Sequence, residues 1–407
     1  MKYKTLKGAA LVVATSMLPL SQVAMADVTI SGWINEGVTW FDDGVFSDGV
    51  QVSDNGTTLG SRITFAGSSE VSTGITAGFE TILEPRSADG SNLLGLGSSG
   101  AFNDNTNGQQ IGVLGSSVHV GGGFGKITVG LQTMPTDNIA VLEDPSLTLW
   151  SSISPIFKGN GATIQGLVGA TKTTWGGFLQ CYAVPGLGIG IDCNGIYRNG
   201  VRYDLPAFGP VSVAVGWAND DVYDISVKMK GDMGGLKAQI ALGYAINQGG
   251  GGSNVLAAGT NGGSESETFQ LQAGLMHPSS GLFGSIAYQR EEVDVTTAAD
   301  VVAAADDTDA WWLKVGVKKA WFDAGDTSLS FQYGQYSDQF AQAADGITGS
   351  EVERIGLSVD QYFGSSLIIY GIWEQLELDV SGTAATAVAY GGAQDLDTFT
   401  LGAIYFF

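Results

Sequence analysis

The chain has 407 residues, with 18 Lys and Arg against 41 Asp and Glu and a formal charge of -23, which excludes a nucleic-acid binder built on phosphate neutralisation. Charged residues make up only 14% where a soluble domain carries roughly 25%, so something other than water covers part of the surface. The 61 glycines follow no Gly-X-Y period and the prolines number only 9, which excludes collagen and a Pro-rich disordered chain.

Residues 1–26 read as a secretory signal peptide: Lys2, Lys4 and Lys7 precede an apolar stretch from Gly8 to Leu20, and Ala24-Met25-Ala26 supplies the small-x-small cleavage site. Residues 27–407 then form a single domain. Beyond the leader no apolar run reaches roughly 18 residues, so a membrane-spanning fold would have to use strands closed into a barrel.

From Asp27 onward apolar residues recur at every second position, the period of a strand with two unlike faces. Val211, Val213, Val215 and Trp217 oppose Ser212, Ala214, Gly216 and Ala218. Trp311, Leu313, Val315 and Val317 oppose Trp312, Lys314, Gly316 and Lys318. Short turns fall at 67–74, 121–125, 207–210, 231–235, 278–281, 323–326 and 363–366, and between them lie longer segments such as 248–267, 294–309, 338–353 and 380–397. A β-sandwich also alternates, but it does not require short and long connections by turns, which an outer-membrane barrel does. The strands flanking these turns, with the first and last segments, make sixteen. Residues 27–407 then allow about 24 per strand and connection, room for strands of roughly 9–11 residues. The expected fold is an all-β, 16-stranded antiparallel transmembrane barrel with an aqueous lumen.

Cys181 and Cys193 flank a Gly-rich stretch and, in an exported chain, read as a disulfide; a two-cysteine metal site is the alternative, but no His lies nearby. His119 and His277 both fall near short turns, away from the long-loop end, so a Ser–His hydrolase is not expected.

The segments VTISGWINEGV, SRITFAGSSEVSTGITAGFETILE, FGKITVGLQ and YRNGVRYDLPAFG resemble the trimeric general porins of Gram-negative bacteria, particularly the neisserial and β-proteobacterial type. The closing FTLGAIYFF, ending on Phe407, is similar to the terminal strand that the barrel-assembly machinery reads. The resemblance implies a homotrimer in the outer membrane, in contact with its lipid and lipopolysaccharide, passing small hydrophilic solutes and ions. It also implies a third extracellular loop folded into the lumen, which here spans residues 133–195. The chain departs from the family at Leu131, where a basic residue is common, and in TDNIAVLEDPSL, which replaces the short acidic constriction motif.

Strand parity turns Arg62, Arg198 and Arg202 inward as a basic wall, facing Asp137, Glu143 and Asp144 on the infolded loop. Counted from turns at Gly67 and Ala207, Arg62 and Arg202 stand at similar height, and a transverse field between the two sets would sort solutes. The alternative is pairing of Arg62 and Arg202 with the lumen carboxylates Glu80 and Asp204. Lys314 and Lys318 face the lumen by the same parity, as do Trp312 and Tyr336, without forming the aromatic file a sugar channel would show. The expected function is passive diffusion with weak cation preference at low salt. The alternatives are a sugar or organic-anion channel, or an envelope-stabilising barrel. No cofactor is expected, although Asp42, Asp43, Asp300, Asp306, Asp307 and Asp309 in outer loops could share divalent cations with lipid phosphates.

Overall fold

The computed structural model describes residues 27–44, 49–53, 60–86, 110–142, 144–148, 162–170, 173–179, 197–219, 221–248, 265–294, 307–338 and 346–407. The leader, Glu143, Cys181, Cys193, Asp300 and Asp306 lie outside the described residues.

One antiparallel sheet runs through the described chain. Its first half comprises β1 (Asp27–Asp42), β2 (Gly49–Ser53), β3 (Arg62–Ser72), β4 (Ile75–Arg86), β5 (Gln110–Gly122), β6 (Gly125–Thr133), β7 (Tyr197–Asp204), β8 (Val211–Ala218) and β9 (Val222–Met233). The second half comprises β10 (Leu236–Asn247), β11 (Glu265–Met276), β12 (Leu282–Asp294), β13 (Asp307–Phe322), β14 (Gly325–Ser337), β15 (Ile347–Phe363), β16 (Leu367–Gly382) and β17 (Leu396–Phe406). β2 and β3 pair with β1 one above the other, over Gly37–Phe41 and Asp27–Trp33, and so share one place in a wall of sixteen. β1 also pairs with β17, from Trp33 opposite Phe406 to Asp42 opposite Asp397, and the sheet closes on itself. Closure leaves no edge, as lipid requires, because an unpaired backbone group there finds no water.

Alternation sorts the side chains as expected. Val215, Trp217, Tyr223, Ile225, Phe269, Leu275 and Val315 stand exposed on the outside, while Asp224, Ser226, Gln270, Gln272 and Lys314 are buried inside. The seven expected short connections gather at one end, and one connection of the other end, β8–β9, is also short, spanning only residues 219–221. The β9–β10 turn is Gly234-Gly235 with both φ positive, at 61° and 88°, the conformation a two-residue hairpin favours and glycine adopts without strain. The β3–β4 turn is tighter than expected, at Thr73-Gly74 rather than 67–74, because the ladder continues through polar residues as far as Ser72 opposite Ile75. Sequence reading takes such a polar end for a turn.

Tyr370 straps the closing seam. Its ring lies over Gly402 of β17 and its hydroxyl donates to Asn35 Oδ1 of β1 at 2.8 Å. A Cβ on Gly402 would meet that ring at 2.3 Å. Gly402→Ala is expected to cost about 1–3 kcal/mol by overpacking, read as a lower temperature for loss of the folded, SDS-resistant form.

The third loop leaves β6 and re-enters the barrel. It carries two helical turns, α1 (Ile139–Leu142) and α2 (Gly176–Leu179), and its limbs pair where Trp175 N–H donates to Ala162 O at 3.1 Å and Ile164 N–H to Thr173 O at 2.8 Å. Inward positions on β12–β16 are apolar where this loop lands. Ala162, Ile164, Trp175, Phe178 and Leu179 form one core with Ala287, Ala310, Trp312, Tyr336, Val352, Leu376 and Leu378. The β16–β17 connection closes over it with α3 (Ala384–Tyr390), an Ala-rich helix capped by Thr383, whose hydroxyl accepts from Thr386 N–H at 3.3 Å. Phe178 meets Tyr390 edge to face at 5.5 Å. Each such large side chain contributes about 1.5–3 kcal/mol on burial. Trp312 and Tyr336 do face inward, but this core covers both, so neither offers a ring to passing solute.

Candidate functional site

The first-half wall holds the predicted basic residues. Arg62 pairs with Glu84 at 3.0 Å, because the β3–β4 register sets it level with Glu84 and not with Glu80. Arg202 binds Asp204 at 2.7 Å, and Lys126 stands 3.7 Å from the same carboxylate. Arg198 is buried four residues before Arg202 on β7, opposite Gln132. Arg62 lies farther from its turn than Arg202 does from its own, so equal spacing from the turns does not set their heights. Both still act on Asp137, since strands in a barrel are tilted and staggered.

Asp137 is the acidic counterpart. The loop holds it just after β6, where Thr136 donates to Asp224 Oδ2 through its amide at 2.8 Å and its hydroxyl at 2.7 Å, and Asn138 donates to Asp137 Oδ1 at 2.6 Å. Burial pushes the Asp137 carboxyl up to about 7, with Asp224 adding to the rise and Arg62, Lys228 and Arg202 opposing it. The structure thus brings Arg62, Arg202 and Asp137 into one electrostatic group, joined by Glu84, Asp224 and Lys228. Glu84 shares the inward parity of Glu80, the signal that could have found it.

Asp144 does not face the arginines. It lies across the lumen, bound to Lys314 at 2.8 Å, with Ser146 N–H at 2.8 Å and Ser285 Oγ at 3.3 Å as further donors. Lys314 also donates to Thr148 O at 3.1 Å, and Lys318 to Ser146 O at 3.0 Å. Lys318 sits over the Tyr362 ring at 3.7 Å, and the Tyr362 hydroxyl donates to Leu147 O at 2.9 Å. The expected acidic loop is therefore divided: Asp137 belongs to the charged group and Asp144 anchors the loop.

Beneath the charged group a cavity of about 390 Å³ opens toward the short-turn end, lined among others by Glu80, His119, Lys126, Thr128, Gln132 and Arg202. His277 lies in the β11–β12 turn with Nδ1 2.7 Å from Ser280 Oγ, an oxygen that also accepts from Leu282 N–H at 3.2 Å, so this pair staples a turn.

A closed barrel, apolar outside, charged within and narrowed by its own loop, defines a membrane-spanning diffusion channel. The chain belongs to the Gram-negative porin family, which it matches over residues 8–380. Among solved structures it is similar to the anion-selective porin from Comamonas acidovorans, at 19% identity over 94% of this chain and 100% of that one, TM-score 0.59. It is also similar to the outer membrane channel DcaP of Acinetobacter baumannii, at 11% identity over 95% and 99%, TM-score 0.56. OmpT of Vibrio cholerae, in a trimer form, matches at 12% identity over 94% and 99%, TM-score 0.52. No curated protein matches the sequence. The protein is an outer-membrane porin, a water-filled channel for passive diffusion.

Proposed function

We propose that solutes are sorted by charge where Asp137 stands against Arg62, Arg198 and Arg202, in an exported homotrimer whose leader is cleaved after Ala26. The observation that carries this is the placement of a loop carboxylate, buried and under the pull of Arg62, Lys228 and Arg202. Acidic outer segments concentrate cations at the mouth while the basic wall opposes them, which gives weak cation preference at low salt that fades with screening. Arg62→Ser removes one of the opposing charges and leaves Glu84 without that partner. It is expected to move the reversal potential in a KCl gradient further toward cations; an unchanged potential at low salt would remove Arg62 from the constriction.

A second reading has a specific support. Lys230 and Lys237 share the inward parity of Lys228 and extend its basic charge along β9 and β10 toward the short-turn end, and the Comamonas protein is anion-selective. Strong anion selectivity of the wild type at low salt would favour that reading, an organic-anion channel, over the first.

The trimer form of the Vibrio protein supports the homotrimer. The terminal strand through Phe407 serves the barrel-assembly machinery, and the chain acts by passage rather than catalysis. Divalent cations shared between outer-loop acids and lipopolysaccharide phosphates are the one non-protein component of this reading. Asp42 accepts from Gly44 N–H at 2.9 Å, Asp43 from Gln165 at 3.1 Å, and Asp307 and Asp309 bind Arg290 and Tyr288. Bridging would use the remaining lone pairs, and chelator is then expected to lower the melting temperature of the trimer in lipopolysaccharide-containing membranes. No change on chelation would end this part of the proposal.

A further inference from the structure

At the anchored tip of the third loop one side chain is held in a conformation that does not suit it. Leu147 has φ of 57°, in the left-handed region that favours glycine or asparagine and is unusual for a bulky residue. Its neighbours are buried, Ser146 at 1% and Thr148 at 0% exposure, yet Leu147 is 53% exposed. Three successive carbonyls fix the backbone to the wall: Ser146 O accepts from Lys318 at 3.0 Å, Leu147 O from Tyr362 at 2.9 Å and Thr148 O from Lys314 at 3.1 Å. The Leu147 amide closes the turn on Asp144 O at 3.2 Å. Lys314 and Lys318 are inward-facing residues of β13, so with the backbone held against the wall the side chain projects away from it, into the lumen. Strain of this kind persists only where surrounding contacts over-determine it, and here they do. The bulkiest apolar groups brought by this loop, Trp175, Phe178 and Leu179, are covered, and Val168, which is exposed, lies beside α3, where its amide donates to Ala389 O at 3.1 Å.

We propose that Leu147 is a specificity-determining residue of the channel, an apolar contact that favours solutes carrying an aliphatic group over polar solutes of the same size. The inference rests on the diffusion function and on no property of the arginine wall. An aliphatic solute touching Leu147 loses water from both surfaces. Roughly one methylene of contact corresponds to about a fourfold gain in partition. For dilute solute, higher occupancy at a narrow place raises flux.

The test uses the full-length chain in proteoliposomes, with swelling rates in dilute leucine and asparagine, two amino acids of nearly equal mass and no net charge, and reads the change in their ratio between wild type and variant. Leu147→Asn keeps the branching and the number of non-hydrogen atoms in a polar side chain and suits the left-handed backbone; Leu147→Gly removes the side chain and relieves the strain. In both, the leucine-to-asparagine rate ratio is expected to fall about fourfold while KCl conductance persists. An unchanged ratio, or two rates that rise together in Leu147→Gly, would overturn the proposal. Loss of KCl conductance or of the SDS-resistant fold in both variants would assign Leu147 to folding and overturn it equally. Absence of conductance in the wild type would instead strike at the diffusion function itself.

Discussion

Lys314→Met is expected to free the third loop: conductance rises and becomes noisy, and the loop turns sensitive to added protease. The Lys314 ammonium and Asp144 carboxylate are 0% and 1% exposed and 2.8 Å apart. Removing one partner of such a pair leaves the other buried without compensation, at about 3–5 kcal/mol. The same substitution takes away the donor to Thr148 O, while Ser285, Lys318 and Tyr362 still hold the tip. Replacing both partners by apolar groups removes the stranded charge, so Lys314→Met with Asp144→Leu is expected to recover much of the quiet, protease-resistant state. If Lys314→Met alone conducts quietly and resists protease, the anchor does not lie here. Burial works to raise the Asp144 carboxyl, but the Lys314 charge and the hydrogen bonds from Lys314 and Ser146 hold it below the usual range. Its contribution is therefore present above the ordinary carboxyl value of 3.8 and lost only as pH falls through the lowered one, so the anchor stays fastened in mild acid.

The second expected result is a change of selectivity near neutral pH. Asp137, raised to about 7, gains its proton as pH falls through that value, and the charges of Arg62, Arg202 and Lys228 then meet one fewer negative neighbour. Anion preference should rise between pH 8 and pH 6, most clearly near 0.1 M salt or below, where the screening length is about 10 Å or more. Asp137→Asn is expected to show the low-pH selectivity throughout and to lose this step. A step of equal size in the variant would place the titrating group elsewhere. The stability sign is fixed by the same shift: the native loop holds the proton more tightly than the unfolded chain, so this stabilisation is complete below 3.8 and is lost as pH rises through about 7.

Period-two alternation carried most of the barrel, because a wall between lipid and water must change character at every residue. It placed Trp217 outside and Lys314 inside, and the rhythm of short and long connections gave sixteen places in the wall. Alternation does not encode register. Parity makes Glu80 and Glu84 equivalent partners for Arg62, and only the β3–β4 register, which the polar run to Ser72 hides, selects Glu84. Parity also could not say where the loop would land, since Asp144 and Lys314 are 170 residues apart and both look like isolated lumen charges. The inward Val352, Leu376 and Leu378 did leave a signal. A lumen that only conducts water has no use for them, and a run of apolar residues on the polar face of β15 and β16 announces a docking surface for something brought inside.

That internal core imposes an order on assembly. Its loop half, Ala140 to Leu179, is synthesised before any strand of β12–β16 exists, and its partners run from Ala287 to Leu396. Contacts of such long sequence separation form late, after the entropy of closing a large loop has been met. The apolar loop face therefore has no complete partner surface until those strands are in place. The last strand thus does more than complete a cylinder: it brings Leu396, the final piece of the surface on which the loop comes to rest.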